Sequence, residues 1–278
     1  MSEPGELAIR SDGVTLSGES AGTGPAVILL HGLTATRRYV VMGSRLIERS
    51  GMRVIAYDAR GHGRSGPAPG RAYGYQHLAA DLLGVMEDQG IERAVIAGAS
   101  MGAGTAARFA LEHPDRVAAL ALITPAYEHD TPREERELER WDALAAGLRE
   151  GGVQGFVDAY DLGAVPEAWR QTVETVLRQR LGAHEHPDAV ADALEVVPRS
   201  HPFDQISELS EISAPTLIVG SRDEADPGHP LRVAERWAQA IPGARLLVED
   251  EGPPVRSPIA WQGGQLSRAL LELAGRAA

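Results

Sequence analysis

The stretch that decides the fold reads Arg93-Ala-Val-Ile-Ala97-Gly98-Ala99-Ser100-Met101-Gly102 and runs on into Thr105-Ala-Ala-Arg-Phe-Ala-Leu-Glu112. Its first five residues are strand-like and its last eight form a good helix, so Ser100 falls at a strand-to-helix turn. Glycines two residues before and two after the serine allow a turn sharp enough to strain the serine backbone, and they aim its hydroxyl beyond the sheet edge. The five-residue pattern alone is common; its position between strand and helix gives it weight. A serine at a helix start is also an ordinary N-cap, and the two expectations differ in where the hydroxyl goes.

Working outward, Val27-Ile-Leu-Leu30 is a second apolar run, and His31-Gly32-Leu33-Thr34 follows it as a turn. Gly32 lets the backbone bend toward the serine, which makes the Leu33 and Met101 N–H groups candidate oxyanion donors. His31 reads as a turn-stabilising histidine, with a catalytic role as the alternative. Continuous apolar runs recur at Ala26 to Leu30, Arg53 to Tyr57, Ala94 to Ala97, Val117 to Ile123, Thr216 to Val219 and Ala244 to Val248, as parallel strands covered on both faces require. Helical stretches are expected at Arg37 to Arg49, Gln76 to Gln89, Gly102 to Glu112, Leu231 to Ala240 and Ile259 to Leu273. Ahead of them, Asp12-Gly13 between two short strand-like runs predicts an antiparallel hairpin at the sheet edge.

Between Ala126 and about Ser213 no strand is expected. Thr131-Pro132, Pro166-Glu167 and Pro187-Asp188 open helices there, and Gly151-Gly152 and Gly182 interrupt them. The expected architecture is an α/β core domain, residues 1–125 and 214–278, with a helical lid inserted at 126–213.

Composition narrows the chemistry. The chain has 278 residues, a formal charge of -12, no cysteine, no lysine and no asparagine, so every one of its 27 basic residues is arginine. That removes a cysteine nucleophile, a thiolate metal site, a lysine Schiff base and a P-loop lysine. An acidic chain with dispersed arginines is a poor partner for nucleic acid. No apolar run approaches the roughly 18 residues of a membrane span, and no targeting segment is evident, so a cytoplasmic protein is expected. No metal or cofactor is implied.

At this point the chain resembles the α/β-hydrolase superfamily, in its cofactor-free peroxidase, esterase and lactonase-like branch. The resemblance is carried by His31-Gly32, by Asp58-Ala-Arg-Gly-His-Gly-Arg-Ser65, by the turn at Ser100 and by Glu112-His-Pro-Asp-Arg116, in that order along the chain. It implies a mostly parallel eight-stranded sheet flanked by helices, Ser100 as an acylated nucleophile, and structural roles for His62 and His113. It also implies an acid after the strand that follows the lid. Pro215-Thr-Leu-Ile-Val-Gly220-Ser-Arg-Asp223 has that form, with Asp223 in place and Asp226 as the alternative.

The resemblance further implies a histidine after the last strand, where this chain reads Val248-Glu249-Asp250-Glu251-Gly252-Pro253-Pro254, with no histidine anywhere beyond His229. A serine hydroxyl needs a base, and three sources stay open. His229 is six residues past Asp223 on the same edge. A lid histidine, His129, His184, His186 or His201, closing over Ser100 is the second source. Otherwise Glu249, Asp250 or Glu251 takes the base position or hydrolysis has been lost. The expected function is hydrolysis of a small apolar ester, lactone or thioester. The alternatives are a non-hydrolytic lyase, isomerase or cyclase, and a protein that only binds a small ligand. Trp141, Tyr160 and Trp169 either line the pocket or pin the lid to the core.

Overall fold

The computed structural model describes residues 4–128, 135–222, 226, 228–250 and 257–277. One sheet of eight strands organises it: β1 (Gly5–Ser11), β2 (Val14–Ala21), β3 (Ala26–Leu30), β4 (Arg53–Tyr57), β5 (Ala94–Ala99), β6 (Val117–Ile123), β7 (Thr216–Val219) and β8 (Arg245–Leu247), in the order β1-β2-β4-β3-β5-β6-β7-β8. β1 and β2 form the antiparallel hairpin expected around Asp12-Gly13, and β3 to β8 pair in parallel. The central strands are buried almost throughout, β7 along its whole length, which is why they read as unbroken apolar runs and not as alternation.

Helices cover both faces: α1 (Leu46–Arg49), α2 (Tyr75–Asp88), α3 (Met101–Glu112), α7 (Leu231–Ala240) and α8 (Gly263–Ala277). Two cores result. One lies under α2, α3 and α7 and takes in Leu30, Ile96 and Trp237; the other lies under α1 and α8 and takes in Leu29, Ala97 and Leu270. Between Ile123 and Thr216 the described residues hold no strand and carry α4 (Glu135–Ala159), α5 (Glu167–Leu181) and α6 (Pro187–Val196). Gly152, at φ 58 and ψ -144, breaks α4 where Gly151-Gly152 was expected to interrupt, and Gly182 ends α5.

Two expected helices differ. The stretch Arg37 to Arg49 is not one helix but a 3₁₀ turn (Arg37–Tyr39) and the four-residue α1, separated by Met42 and Gly43 at φ 50 and 71. The chain there cannot stay right-handed, and Gly263 packs against Val41 so closely that a Cβ on it would lie 2.2 Å from Val41 O. The last helix begins at Gly263, after a 3₁₀ turn at Ile259–Trp261. No helix among the described residues is long and apolar enough to cross a membrane.

Candidate active site

Parallel strands deliver the loops at their C-terminal ends to one edge of the sheet. The His31-to-Thr34 turn follows β3, the Asp58 turn follows β4, Ser100 follows β5, and the segment carrying Asp226 and His229 follows β7.

Ser100 has φ 52 and ψ -110, a left-handed conformation rare for a residue with a side chain. Such strain costs on the order of 1–3 kcal/mol and persists only where the surroundings impose it. The flanking glycines are what permit it. A Cβ on Gly98 would lie 2.0 Å from Gly102 O, and one on Gly102 would lie 2.3 Å from Leu30 O. Although Ser100 occupies the N-cap of α3, its hydroxyl makes no capping bond. Its Oγ lies 2.9 Å from His229 Nε2.

His229 is held from behind by Asp226, whose two carboxylate oxygens each lie 3.0 Å from His229 Nδ1. The carboxylate can only accept, so Nδ1 carries the proton and the Nε2 lone pair faces the serine O–H. Asp226 and His229 are three residues apart, and a His229 N–H to Asp226 O bond of 3.1 Å closes the turn between them. Their side chains are 16% and 26% exposed. Burial opposes the imidazolium, but the Asp226 charge and hydrogen bond outweigh it and raise the His229 pKa above the ordinary histidine value. Burial likewise penalises the Asp226 carboxylate, yet His229 and Arg180 together hold its pKa below the ordinary range.

The acid beside His229 is therefore Asp226; Asp223, the expected acid, lies outside the described residues, as does Glu251. His31 does not reach the serine, because Nδ1 donates to Gly32 O at 2.8 Å and Nε2 accepts the Ala59 N–H at 2.9 Å. Burial first, and then His62, lower its pKa to about 3. Gly32 does approach the site, since a Cβ there would lie 3.4 Å from Ser100 Cβ and 4.0 Å from Oγ. The adjacent Leu33 N–H and the Met101 N–H, first in α3 and without an intrahelical acceptor, are the nearest backbone donors in sequence to that approach.

Glu249 sits where a base was sought after the last strand, but it is buried and turned elsewhere. Its Oε1 accepts the Arg222 N–H at 2.6 Å and the Ser221 hydroxyl at 3.3 Å, tying the two loops together at their roots. Asp250 is exposed. Of the other histidines, His129 lies outside the described residues, His184 has both nitrogens engaged with backbone, His186 precedes α6, and His201 packs against Tyr127 at 5.5 Å. Tyr160 stacks on Phe156, Trp141 packs on the core, and Trp169 meets Trp261 edge-on at 5.5 Å. Among the described residues no cluster of three or more metal-ligating side chains occurs.

Arg180 went unnoticed in the sequence. It lies on α5 with its Nε buried and unpartnered and its guanidinium 5.1 Å from the Tyr39 ring centre, and its charge reaches Asp226 and His229. A signal existed: Trp169, Val173, Val176 and Leu177 make an apolar stripe at helical spacing, and Arg180 continues it.

A family model described as the alpha/beta hydrolase fold matches residues 25–159. A 2-hydroxy-6-oxononadienedioate/2-hydroxy-6-oxononatrienedioate hydrolase of Pseudomonas putida is 33% identical over 239 residues, 83% of this chain and 80% of that protein. A protein of Mycobacterium phage D29 described as a non-heme haloperoxidase is 38% identical over 122 residues, and the match spans only 43% of that protein. Among solved structures, a thermophilic esterase from Thermogutta terrifontis superposes with a TM-score of 0.79 at 25% identity, covering 99% of both chains. The chain belongs to the α/β-hydrolase family and is an α/β-fold hydrolase.

Proposed function

We propose that the protein is a serine hydrolase that cleaves a small carboxylic ester, lactone or thioester through an acyl-enzyme on Ser100. The observation that carries this is the chain of contacts Ser100 Oγ, His229 Nε2, His229 Nδ1, Asp226 carboxylate, at 2.9 and 3.0 Å. A triad is defined by geometry and roles and not by order along the chain. The Ser100 oxygen attacks the substrate carbonyl as its proton passes to His229 Nε2. The imidazolium then returns that proton to the leaving alcohol or thiol, and water repeats the cycle on the acyl-enzyme. Asp226 holds the imidazole in the right tautomer and stabilises its charged form. The Leu33 and Met101 N–H groups receive the oxyanion, and the helices between β6 and β7 act as a lid. The esterase named above acts on this bond type, and the dienedioate hydrolase likewise takes a carbonyl substrate. His229 Nε2 at 2.9 Å from Ser100 Oγ favours hydrolysis over the non-hydrolytic and ligand-binding alternatives.

Fluorophosphonate labelling followed by intact mass tests the reading without knowledge of the substrate. Wild type labels rapidly, while Ser100→Ala and His229→Ala do not. Equal labelling of wild type and folded Ser100→Ala would refute it.

A further inference from the structure

Three imidazoles meet the turn that follows β3 at three successive carbonyls. His31 Nδ1 lies 2.8 Å from Gly32 O, His62 Nε2 lies 2.7 Å from Leu33 O, and His184 Nε2 lies 3.3 Å from Thr34 O. The rings form a row, with centres 5.2 Å apart for His31 and His62 and 5.5 Å apart for His62 and His184. A trans peptide points its C=O and the following N–H in opposite directions. Gly32 O is taken by His31 and by the Ala35 N–H at 3.0 Å, so the Leu33 N–H is aimed the other way.

His31 and His62 belong to the turns after β3 and β4, whereas His184 belongs to the segment joining α5 to α6. Its Nδ1 accepts the Gly63 N–H at 2.8 Å, and the neighbouring Glu185 N–H donates to Gly63 O at 2.8 Å. The inserted helices thus grip two turns of the active-site edge at once, and neutral His184 spends its one donor on Thr34 and its one acceptor on Gly63.

We propose that His184 is a positioning residue for the oxyanion turn: by bridging Thr34 O to Gly63 N–H, it makes the placement of the Leu33 N–H depend on the seating of the inserted helices. The inference rests on the serine-hydrolase reading, because the turn matters to rate only if Leu33 serves the oxyanion.

Three variants separate positioning from docking. His184→Ala removes both bonds, His184→Gln keeps a donor at the reach of Nε2, and His184→Asn keeps an acceptor near Nδ1. Each is assayed for p-nitrophenyl acetate hydrolysis, for affinity toward an arylboronic acid that mimics the tetrahedral oxyanion, and for thermal midpoint. In His184→Ala, kcat and boronate affinity fall together by roughly 10- to 100-fold while KM changes little, in line with the cost of a displaced oxyanion donor. His184→Gln recovers most of that loss and His184→Asn does not. A merely structural bond would lower the midpoint and leave kcat and boronate affinity alone; that result, or equal behaviour of the Gln and Asn variants, overturns the proposal. If His184→Ala fails to fold, the Gln and Asn pair carries the comparison. Absence of Ser100-dependent turnover in wild type is a separate outcome, which refutes the serine-hydrolase reading and this inference with it.

Discussion

Acid should unfold this protein by charging His31. Both ring nitrogens are satisfied only in the neutral form, one donating to Gly32 O and one accepting from Ala59 N–H, and the side chain is 2% exposed. Its pKa is accordingly lowered from 6.5 to about 3, by burial and then by His62. The unfolded chain therefore binds this proton first, so stability rises with pH and is lost as pH falls from 6.5 toward 3. The slope is about 1.4 kcal/mol per pH unit inside that window, which makes the loss about 2 kcal/mol at pH 5 and about 5 kcal/mol at pH 3. His184, lowered to about 3 by burial and then by His62, adds a second loss of the same sign. Against a typical total of about 5–15 kcal/mol, a loss of this size removes a large share of the stability before the carboxylate range is reached. The assay is urea unfolding at half-unit steps from pH 7.5 to 4, comparing wild type with His31→Gln. The variant is less stable at pH 7.5 because it loses a fitted contact, but its stability falls less steeply below pH 6.5, by about one proton. Parallel curves for the two proteins across the whole range would refute the claim that His31 is held neutral by the fold.

Other consequences concern the site. His229→Ala should lower kcat by about 10⁴- to 10⁶-fold and Asp226→Asn by about 10⁴-fold, the latter by losing the tautomer, while Asp223→Asn has a much smaller effect; steady-state ester kinetics decide between the two acids. Because the base must be neutral, the acidic limb of kcat/KM should lie above the ordinary histidine pKa of about 6.5, and Asp226→Asn should move it down. Arg180 lowers the His229 pKa, so Arg180→Met should move the same limb up, and a limb that stays still in both variants would remove the electrostatic account. Gly102→Ala brings a methyl to 2.3 Å from Leu30 O and should cost about 1–3 kcal/mol in urea unfolding, or prevent folding.

The parts of the fold that were legible are those in which one residue type has one physical reason to be present. Val95 to Ala97 and Thr216 to Val219 read as central strands because both faces of those strands are covered. Gly98 and Gly102 read as a turn because nothing larger fits beside Gly102 O and Leu30 O. The break between Arg37 and Leu46 was harder to read: its positive φ falls on Met42 as well as Gly43, and Val41 beside it is packed by Gly263, more than 200 residues away. For the acid, the resemblance pointed to Asp223 with Asp226 as the alternative, and Asp226 is the one whose carboxylate meets His229 Nδ1. Asp226-Pro227-Gly228-His229 has the Asp, Pro and Gly of a tight turn, and such a turn puts its first and fourth residues side by side. That signal was local and available.

In the proposed triad, the sheet order explains how the base can come from the segment after β7. β5 carries Ser100, β7 lies two strands away and β8 three, and neighbouring strands are about 4.8 Å apart. A histidine after β7 therefore starts about 10 Å from the serine's strand, against about 14 Å for one after β8. A base after β7 instead of β8, as proposed here, has the shorter reach, and a single turn then supplies both base and acid. Glu249, just after β8, accepts from Ser221 and Arg222 and holds its own backbone against the segment after β7.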